Sequence, residues 1–199
     1  MLLSTTFFGP VQWYQKLHRA DHVLIEQHES FQKQTYRNRC LIASSQGVQV
    51  LTVPVEHSMA GIQCIRISSH GNWRHQHWQA ITSAYGDSPF FEYYEDDIRP
   101  FFQEERWERL IDYNEAIRQT VCELLDIHPD VDYTTAYLPP KTSDTEDFRD
   151  SIRPKHPPVD PGFEARPYYQ VFAQRHGFLS NLSILDLLFN MGPEGIFYL

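Results

Sequence analysis

Three cations and one amide donor lie within seven residues of one another, at Lys33, Arg37, Asn38 and Arg39. Arginine side chains present planar forks that bind phosphate or carboxylate groups through paired hydrogen bonds. The cluster therefore predicts a site for a small anionic substrate, such as a sugar nucleotide, an acyl-coenzyme A or a carboxylate. The alternative is an exposed loop whose charges are solvated, because basic clusters are common on protein surfaces.

A single histidine, His77, lies on the otherwise apolar helical stripe that runs from Trp73 through Ile81 to Ala84. Histidine titrates near neutral pH, so a histidine facing a cleft is a natural general base. We therefore predict a catalytic role for His77. The alternative is a hydrogen-bonded histidine of the core.

A metal site is not expected around this histidine. His75 and His77 are two residues apart, so on a helix they point about 200° apart. Zinc-binding helices instead use histidines four residues apart. The chain also lacks the glycine-rich motifs of dinucleotide-binding and P-loop proteins, and it lacks the Gly-x-Ser-x-Gly elbow of α/β-hydrolases. We therefore predict neither a metal nor a cofactor.

Three further polar residues lie on apolar helical faces, at Asn114, Asp186 and Asn190. A buried carboxylate or amide needs partners, so these residues either bridge the neighbouring backbone or line a cleft. In a cleft, Asn114 and Asn190 would position the substrate. Asp186 would pair with an arginine of the basic cluster or orient His77, and we predict it as the second catalytic residue.

The elements that position these residues follow from hydrophobic spacing. We predict β-strands over residues 22–26, 40–43, 48–55 and 62–68, with a short helix over 11–20 and a hairpin loop at 44–47. Helical spacing begins at residue 73 and predicts helices over 73–85, 88–102 and 107–127. A last helix over 182–190 is apolar on nearly all sides and is expected to be buried.

Between the helical block and the last helix, residues 128–167 contain eight prolines interspersed with Asp, Thr and Ser. This composition predicts a long irregular segment. The fold prediction is α+β: an N-terminal, mostly antiparallel β region with one short helix, packed against a helical block, with the C-terminal helix returning to the core. A chain of 199 residues fits a single domain over 1–199.

The formal net charge of −9 is distributed unevenly. Residues 1–80 carry seven basic and four acidic side chains, whereas residues 81–199 carry ten and 22. The bulk charge disfavours nucleic acid and anionic membranes as partners. An anion site is therefore expected to be local and to lie in the first 80 residues.

Location is predicted from cysteine content and from the N-terminal sequence. The odd number of cysteines, three, forms no Cys-x-x-Cys pair, which favours a reducing compartment. No basic residue precedes the short apolar start, and no apolar run approaches the roughly 18 residues of a membrane helix. We therefore expect a cytoplasmic protein without membrane insertion.

Several stretches of the chain resemble the WbqC-like proteins of bacteria. They are residues 9–14, 16–21, 31–33, 36–39, 51–55 and 182–193, together with Trp73, His77, Ile81, Tyr85, residues 88–91 and Asn114. The resemblance covers most of residues 6–127 and 178–195, and its most specific pieces are Asn38-Arg39 and residues 183–193. Many members carry a Gly- and Leu-rich strand–helix segment where this chain has its proline-rich residues 128–167.

The resemblance implies a role in the synthesis of surface polysaccharide, including lipopolysaccharide O-antigen. On that basis two functions are predicted. The first is a transferase, acyl or aminoacyl, that acts on an activated amino sugar or glycan precursor. The second is a non-catalytic binding or assembly protein that uses the same basic residues to hold a small anionic ligand or partner.

Overall fold

The computed structural model describes residues 1–56, 61–140 and 145–199. It contains a parallel sheet and a separate antiparallel hairpin. The parallel strands are β1 (Leu2–Ser4), β2 (Val23–Glu26) and β5 (Val131–Tyr133), in the order β1-β2-β5. The hairpin is formed by β3 (Arg39–Ser44) and β4 (Gly47–Thr52). The α+β prediction is confirmed.

The first βαβ unit sets the geometry of the parallel sheet. Helix α1 (Val11–Arg19) connects β1 to β2 and buries Tyr14 and Leu17 completely. Parallel strands need such a crossover, because a tight turn can join only antiparallel neighbours. The prediction of a mostly antiparallel N-terminal region holds for the hairpin, but it did not include this parallel sheet.

The helical block consists of four helices. They are α2 (Trp73–Tyr85), α3 (Phe91–Ile98), α4 (Pro100–Gln103) and α5 (Leu110–Leu124). Helix α2 has the predicted bounds. The helix predicted over residues 88–102 is divided, and Pro100 opens the second piece, consistent with proline's preference for the first helical turn.

Two further helices complete the chain, α6 (Ala173–His176) and α7 (Ile184–Met191). Helix α7 is buried and packs against α1, α2, α3 and β3, so the C-terminal helix returns to the core as predicted. The Ser183 hydroxyl caps it by accepting a hydrogen bond from the Leu185 N–H at 3.3 Å. Helix α7 is followed by a 3-10 helix over Gly192–Tyr198.

Two predicted features of the chain were wrong in detail. Residues 62–68 do not form a named strand: Ile62–Cys64 is a 3-10 helix, and the pairing that follows consists of two isolated bridges, Arg66 to Arg109 and Ile67 to Val55. Within the predicted irregular segment 128–167, β5 is an ordered strand that joins the parallel sheet beside β2. The prediction of one domain over 1–199 stays a prediction.

Candidate functional site

Polar side chains collect where the parallel strands end. Ser4 ends β1, Glu26 ends β2, and Thr134 directly follows β5. Because parallel strands end at the same edge of a sheet, the three residues share one edge. The Thr134 hydroxyl donates to Glu26 at 2.7 Å, which confirms that this edge is closely packed. Crevices at the carboxyl ends of parallel strands are the usual ligand sites of such sheets.

The Glu26 carboxylate is fully buried and is neutralised by an arginine from the proline-rich segment. Arg149 Nη1 donates to Glu26 Oε2 at 2.8 Å. The same guanidinium donates to both carboxylate oxygens of Asp147, at 2.9 and 2.6 Å. These hydrogen bonds to Asp147 raise the pKa of Arg149 despite its burial. Burial by itself raises the pKa of Asp147. The hydrogen bonds and the charge of Arg149 lower that pKa by a larger amount, so its net shift is downward and both groups stay charged.

A second buried ion pair lies beside the first. Arg37 Nε donates to Glu29 Oε1 at 2.7 Å, and its Nη2 donates to the other oxygen of Glu29 and to Ser4 Oγ. Ser4 Oγ in turn donates to the Arg149 carbonyl at 3.3 Å. Arg37 Nη1 donates to no residue in the described part of the chain. The two ion pairs therefore form one network, with one guanidinium nitrogen left over.

This network forms one wall of a cavity of about 440 Å³, which we call the edge cavity. Its described lining consists of His28, Glu29, Ser30, Gln32, Tyr137, Arg149 and Asp150. A volume of this size is within the range of small-molecule sites. Its polar lining suits a ligand rich in hydrogen-bonding groups.

Among the described lining residues of the edge cavity there is one histidine, His28. His28 Nε2 lies 3.1 Å from the Thr134 carbonyl oxygen, which can only accept, so Nε2 carries the proton. In the neutral ring the other nitrogen, Nδ1, then has a free lone pair. An imidazole oriented in this way can act as a general base.

The basic cluster predicted from the sequence is divided by the structure. Arg37 belongs to the network just described. Lys33 is exposed in the preceding loop. The Asn38 amide donates to the Val53 carbonyl at 2.9 Å and thereby attaches the loop to the end of the hairpin. Arg39 begins β3, is half-buried, and has its pKa lowered by that burial.

His77 lies in an aromatic pocket rather than in the edge cavity. Its ring centre is 5.2 Å from that of Trp73 and 6.3 Å from those of Phe7 and Phe102. Its Nδ1 atom is buried and has no partner among the described residues. Burial lowers the pKa of His77 to about 4, so the ring is neutral at pH 7.

Asn114 connects this region to the basic loop. Its amide donates to the Arg37 carbonyl at 2.8 Å, and Tyr113, the residue before it, stacks on Phe7 at 5.8 Å. Phe7 thus contacts both His77 and Tyr113. The Oδ1 atoms of Asn38 and Asn114 are buried without partners in the described part of the chain. Phe7 and Tyr113 therefore connect His77 to the helix segment that carries Asn114, whose amide bonds the carbonyl of the residue before Asn38.

Asp186 and Asn190 lie together on helix α7, apart from the basic cluster. The Asp186 carboxylate accepts hydrogen bonds from the Tyr85 hydroxyl at 3.0 Å, the Tyr168 hydroxyl at 2.7 Å and the Gln170 amide at 2.7 Å. The Asn190 amide donates to the Asp186 carbonyl at 2.7 Å. The expected pairing of Asp186 with an arginine was wrong, because two tyrosines and a glutamine satisfy the carboxylate instead.

Comparison with known proteins agrees with the resemblance described above. A family model for the WbqC-like protein family matches residues 5–153, about three-quarters of the chain. The chain belongs to the WbqC-like protein family. It is 29% identical over 209 aligned positions to "Uncharacterized protein Rv1507c" of Mycobacterium tuberculosis, covering 90% of this chain and 88% of that protein. The comparison with solved structures gives no significant match.

The matched range places the edge cavity inside the part that this WbqC-like chain shares with its family. All seven lining residues of the cavity lie between residues 5 and 153. The range also continues through residues 128–153, part of the segment in which we expected the chain to depart from the family. It ends before residues 178–195, so Asp186 and Asn190 lie outside it.

Sequence reasoning missed the residues that build the edge cavity. A usable signal existed for Glu26, because a carboxylate directly after the apolar run Val23–Ile25 marks the end of a strand. No comparable signal existed for Arg149. Its partner Glu26 is 123 residues away in the chain, and its own segment has no periodicity.

Two negative findings apply to the described residues of this WbqC-like chain. Residues 1–56, 61–140 and 145–199 contain no group of three or more His, Cys, Asp or Glu side chains that could hold a metal ion. Within the same ranges, no helix is both long and apolar enough to cross a membrane.

The buried imidazole of His77 makes stability depend on pH. Its pKa is about 4 in the folded chain and about 6.5 in an unfolded one, so the unfolded state gains a proton first on acidification. The stability present above pH 6.5 is therefore lost as pH falls towards 4. This difference between the folded and unfolded pKa values corresponds to about 3 kcal/mol in the free energy of unfolding.

We expect His77→Gln to remove this loss. The free energy of unfolding, measured in urea at pH 6.5 and at pH 4.5, should fall less in the variant than in the wild-type chain. His75→Gln is the control, because His75 is exposed on the same helix. Equal pH dependence in wild type and His77→Gln would contradict the buried, neutral imidazole.

Proposed function

We propose that this WbqC-like chain is a cytoplasmic transferase of surface polysaccharide biosynthesis that binds an activated sugar precursor or its acyl donor in the edge cavity. The observation that carries the proposal is the position of His28. Its tautomer is set by the Thr134 carbonyl, and it lines a cavity of about 440 Å³ beside Glu29 and Arg149. A base, an anion-binding group and a volume suited to a sugar thus occur in one place.

One unused guanidinium nitrogen supports an anionic ligand. The positive charges of Arg37 and Arg149 are already paired, with Glu29 and with Glu26 and Asp147. Arg37 lines the small hollow beside the edge cavity, and its Nη1 has no acceptor among the described residues, so a phosphate or carboxylate oxygen would complete its hydrogen bonding. The edge cavity itself adds the Arg149 guanidinium. The Ser30 hydroxyl and the Gln32 amide line the same cavity and add uncharged groups for hydroxyl recognition.

His28 supplies the proton transfer in the reaction we propose. The amine of the sugar attacks the thioester carbonyl of an acyl-coenzyme A, forming a C–N bond. His28 Nδ1 takes the proton released by the nitrogen. The C–S bond then breaks, and the departing thiolate takes that proton, which leaves His28 neutral for the next cycle.

His28→Gln tests the role of this side chain. We expect turnover of an amino-sugar nucleotide with acetyl-coenzyme A, followed by mass spectrometry, to fall about a hundredfold, the lower end of the effect of removing a general base. Ligand binding should survive, because glutamine keeps a donor for the Thr134 carbonyl. A thermal-shift series with UDP-glucose, UDP-N-acetylglucosamine and acetyl-coenzyme A should therefore stabilise the wild type and the variant alike.

His22→Gln is the matched control. His22 lies just before the amino end of the same strand and pairs with Asp130 at 2.9 Å, away from the edge cavity. Full turnover by His28→Gln would overturn its assignment as base. Stabilisation by a probe without turnover in any donor–acceptor pair would favour a non-catalytic binding protein. No stabilisation by any probe would contradict the proposed ligand class.

The catalytic roles predicted for His77 and Asp186 stay predictions. The pKa of about 4 makes His77 a weak base, which is why we assign the proton transfer to His28. His77→Gln in the same turnover assay separates the two assignments, since only the variant of the true base should lose the chemical step.

A further inference from the structure

A second cavity, of about 370 Å³, lies at the same carboxyl edge of the parallel sheet. Residues beyond the ends of β1 and β2, Thr5 and Gln27, line it together with Tyr133 of β5. Ile25 of β2 lines this cavity, whereas Glu26 next to it pairs with Arg149, which lines the edge cavity. Successive residues of a strand point to opposite faces, so the two cavities lie on opposite sides of β2.

The charged side chains of the second cavity are already neutralised within the chain. Arg109 binds both oxygens of Asp112, at 2.6 and 2.9 Å. Glu115 accepts hydrogen bonds from Arg118 and Gln119. Burial by itself raises the pKa of Glu115. The hydrogen bonds from Arg118 lower that pKa by a larger amount, so its net shift is downward and the carboxylate stays ionised and paired. A charged ligand would therefore have to break an existing ion pair.

Uncharged groups, in contrast, are free to bind. Gln27 and Gln63 share one long hydrogen bond of 3.4 Å, which leaves the Gln27 amide nitrogen and the Gln63 carbonyl oxygen without another partner among the described residues. The Thr5 hydroxyl makes no hydrogen bond there either. Two apolar side chains, Ile25 and Ile111, complete this part of the lining.

We propose that the second cavity binds a neutral, polyhydroxylated ring, a sugar of the glycan precursor that does not itself react. Amide and hydroxyl groups match the donors and acceptors of sugar hydroxyls, while the isoleucines and the Tyr133 ring offer apolar surface to the C–H face of the ring. The place of this sugar in the precursor rests on the proposed function, whereas the binding of a neutral sugar does not.

The two cavities lie near one another at the end of β1. A hollow of about 10 Å³ is lined by Thr5, which also lines the second cavity, and by Arg149, which also lines the edge cavity. Ser4 and Thr6 contribute to the same hollow. A space of this size holds about one water molecule, so the two ligands would lie on either side of it.

Saturation-transfer NMR with methyl β-glucopyranoside tests the proposal directly. We expect the wild-type chain to bind this probe saturably at millimolar concentrations, and Gln63→Ala to weaken binding about tenfold, because each lost hydrogen bond to a buried hydroxyl costs about that factor. Gln27→Ala should have a similar effect. Gln103→Ala is the matched control, since Gln103 is exposed at the end of α4.

The outcomes separate this proposal from the previous one. His28→Gln should leave methyl glucoside binding unchanged, and Gln63→Ala should leave the thermal shift with UDP-N-acetylglucosamine or acetyl-coenzyme A unchanged. No saturable binding, or equal binding by wild type and both glutamine variants, would overturn the second site. Tighter binding of glucosamine, which is cationic, would overturn the inference that the ligand is neutral.

Discussion

Arg149→Met is expected to lower the free energy of unfolding by about 3–5 kcal/mol, the cost of leaving a buried charge without its partner. The Glu26 carboxylate is fully buried and, among the described residues, receives one charged hydrogen bond, from Arg149 Nη1. Methionine fills a similar volume but offers no positive charge. Thr134 and two backbone N–H groups remain as donors to Glu26, but none of them compensates the charge.

Urea unfolding at pH 7 measures this effect, with Arg153→Met as the control. Arg153 is exposed and donates only to the His156 carbonyl in the described part of the chain, so its replacement should change stability by less than about 0.5 kcal/mol. The double variant Glu26→Gln/Arg149→Met should lose less than the sum of the two single variants, because neither charge is then left alone. Additive losses would contradict a direct Glu26–Arg149 pair.

Asp186→Ala is expected to lower the free energy of unfolding by about 3 kcal/mol or more. The carboxylate accepts from Tyr85, Tyr168 and Gln170, and all three donors would lose their acceptor in the interior. An unsatisfied buried donor costs about 1–3 kcal/mol. Asp186→Asn should cost less, because its remaining oxygen can accept from Tyr168 and Gln170, which both use the same carboxylate oxygen.

The pH dependence of these variants provides a second test. Burial raises the pKa of Asp186 to about 6, against about 3.9 in an unfolded chain, while its three hydrogen bonds lower it. The folded state therefore holds the proton more tightly, and its contribution to stability is lost as pH rises from about 4 to 6. Asp186→Asn should remove that loss of roughly 3 kcal/mol. Identical pH profiles of wild type and Asp186→Asn would contradict the raised pKa.

Turnover by the Asp186→Asn variant distinguishes a structural role of Asp186 from a catalytic one. If the network with Tyr85 and Tyr168 is structural, Asp186→Asn should keep its turnover once the folded fraction is taken into account. A catalytic Asp186, as predicted from the sequence, should instead lose turnover while the chain remains folded. The position of Asp186 outside the family-matched range 5–153 favours the first outcome.

The two titrating groups act in opposite directions over one pH interval. Acidification from pH 6.5 to 4 destabilises the chain through His77 and stabilises it through Asp186. The wild-type profile should therefore be flatter than that of either variant. The destabilisation through His77 on acidification is therefore seen alone in Asp186→Asn, and the stabilisation through Asp186 is seen alone in His77→Gln.

Local patterns were sufficient for most of the secondary structure. Helix α2 was predicted at its observed bounds, because Trp73, His77 and Ile81 recur at helical spacing. The hairpin was also predicted, and Gly47, with a φ of 107°, occupies the turn position that favours glycine. The strand predicted over residues 62–68 was wrong in its first half, where Ile62–Cys64 is a 3-10 helix, and in the second half Arg66 and Ile67 pair only through isolated bridges.

The sequence by itself determined the fold class, the family and the presence of a basic cluster, because these depend on composition and on spacings of a few residues. Only the tertiary structure decided what the cluster does: Arg37 joins Glu29, and Asp186 joins two tyrosines. It also placed Arg149 against Glu26 and opened a cavity beside His28. Glu26 and Arg149, 123 residues apart, meet at the end of a parallel strand, and Tyr85 and Asp186, 101 residues apart, meet where α2 packs against α7; local sequence patterns encode neither contact.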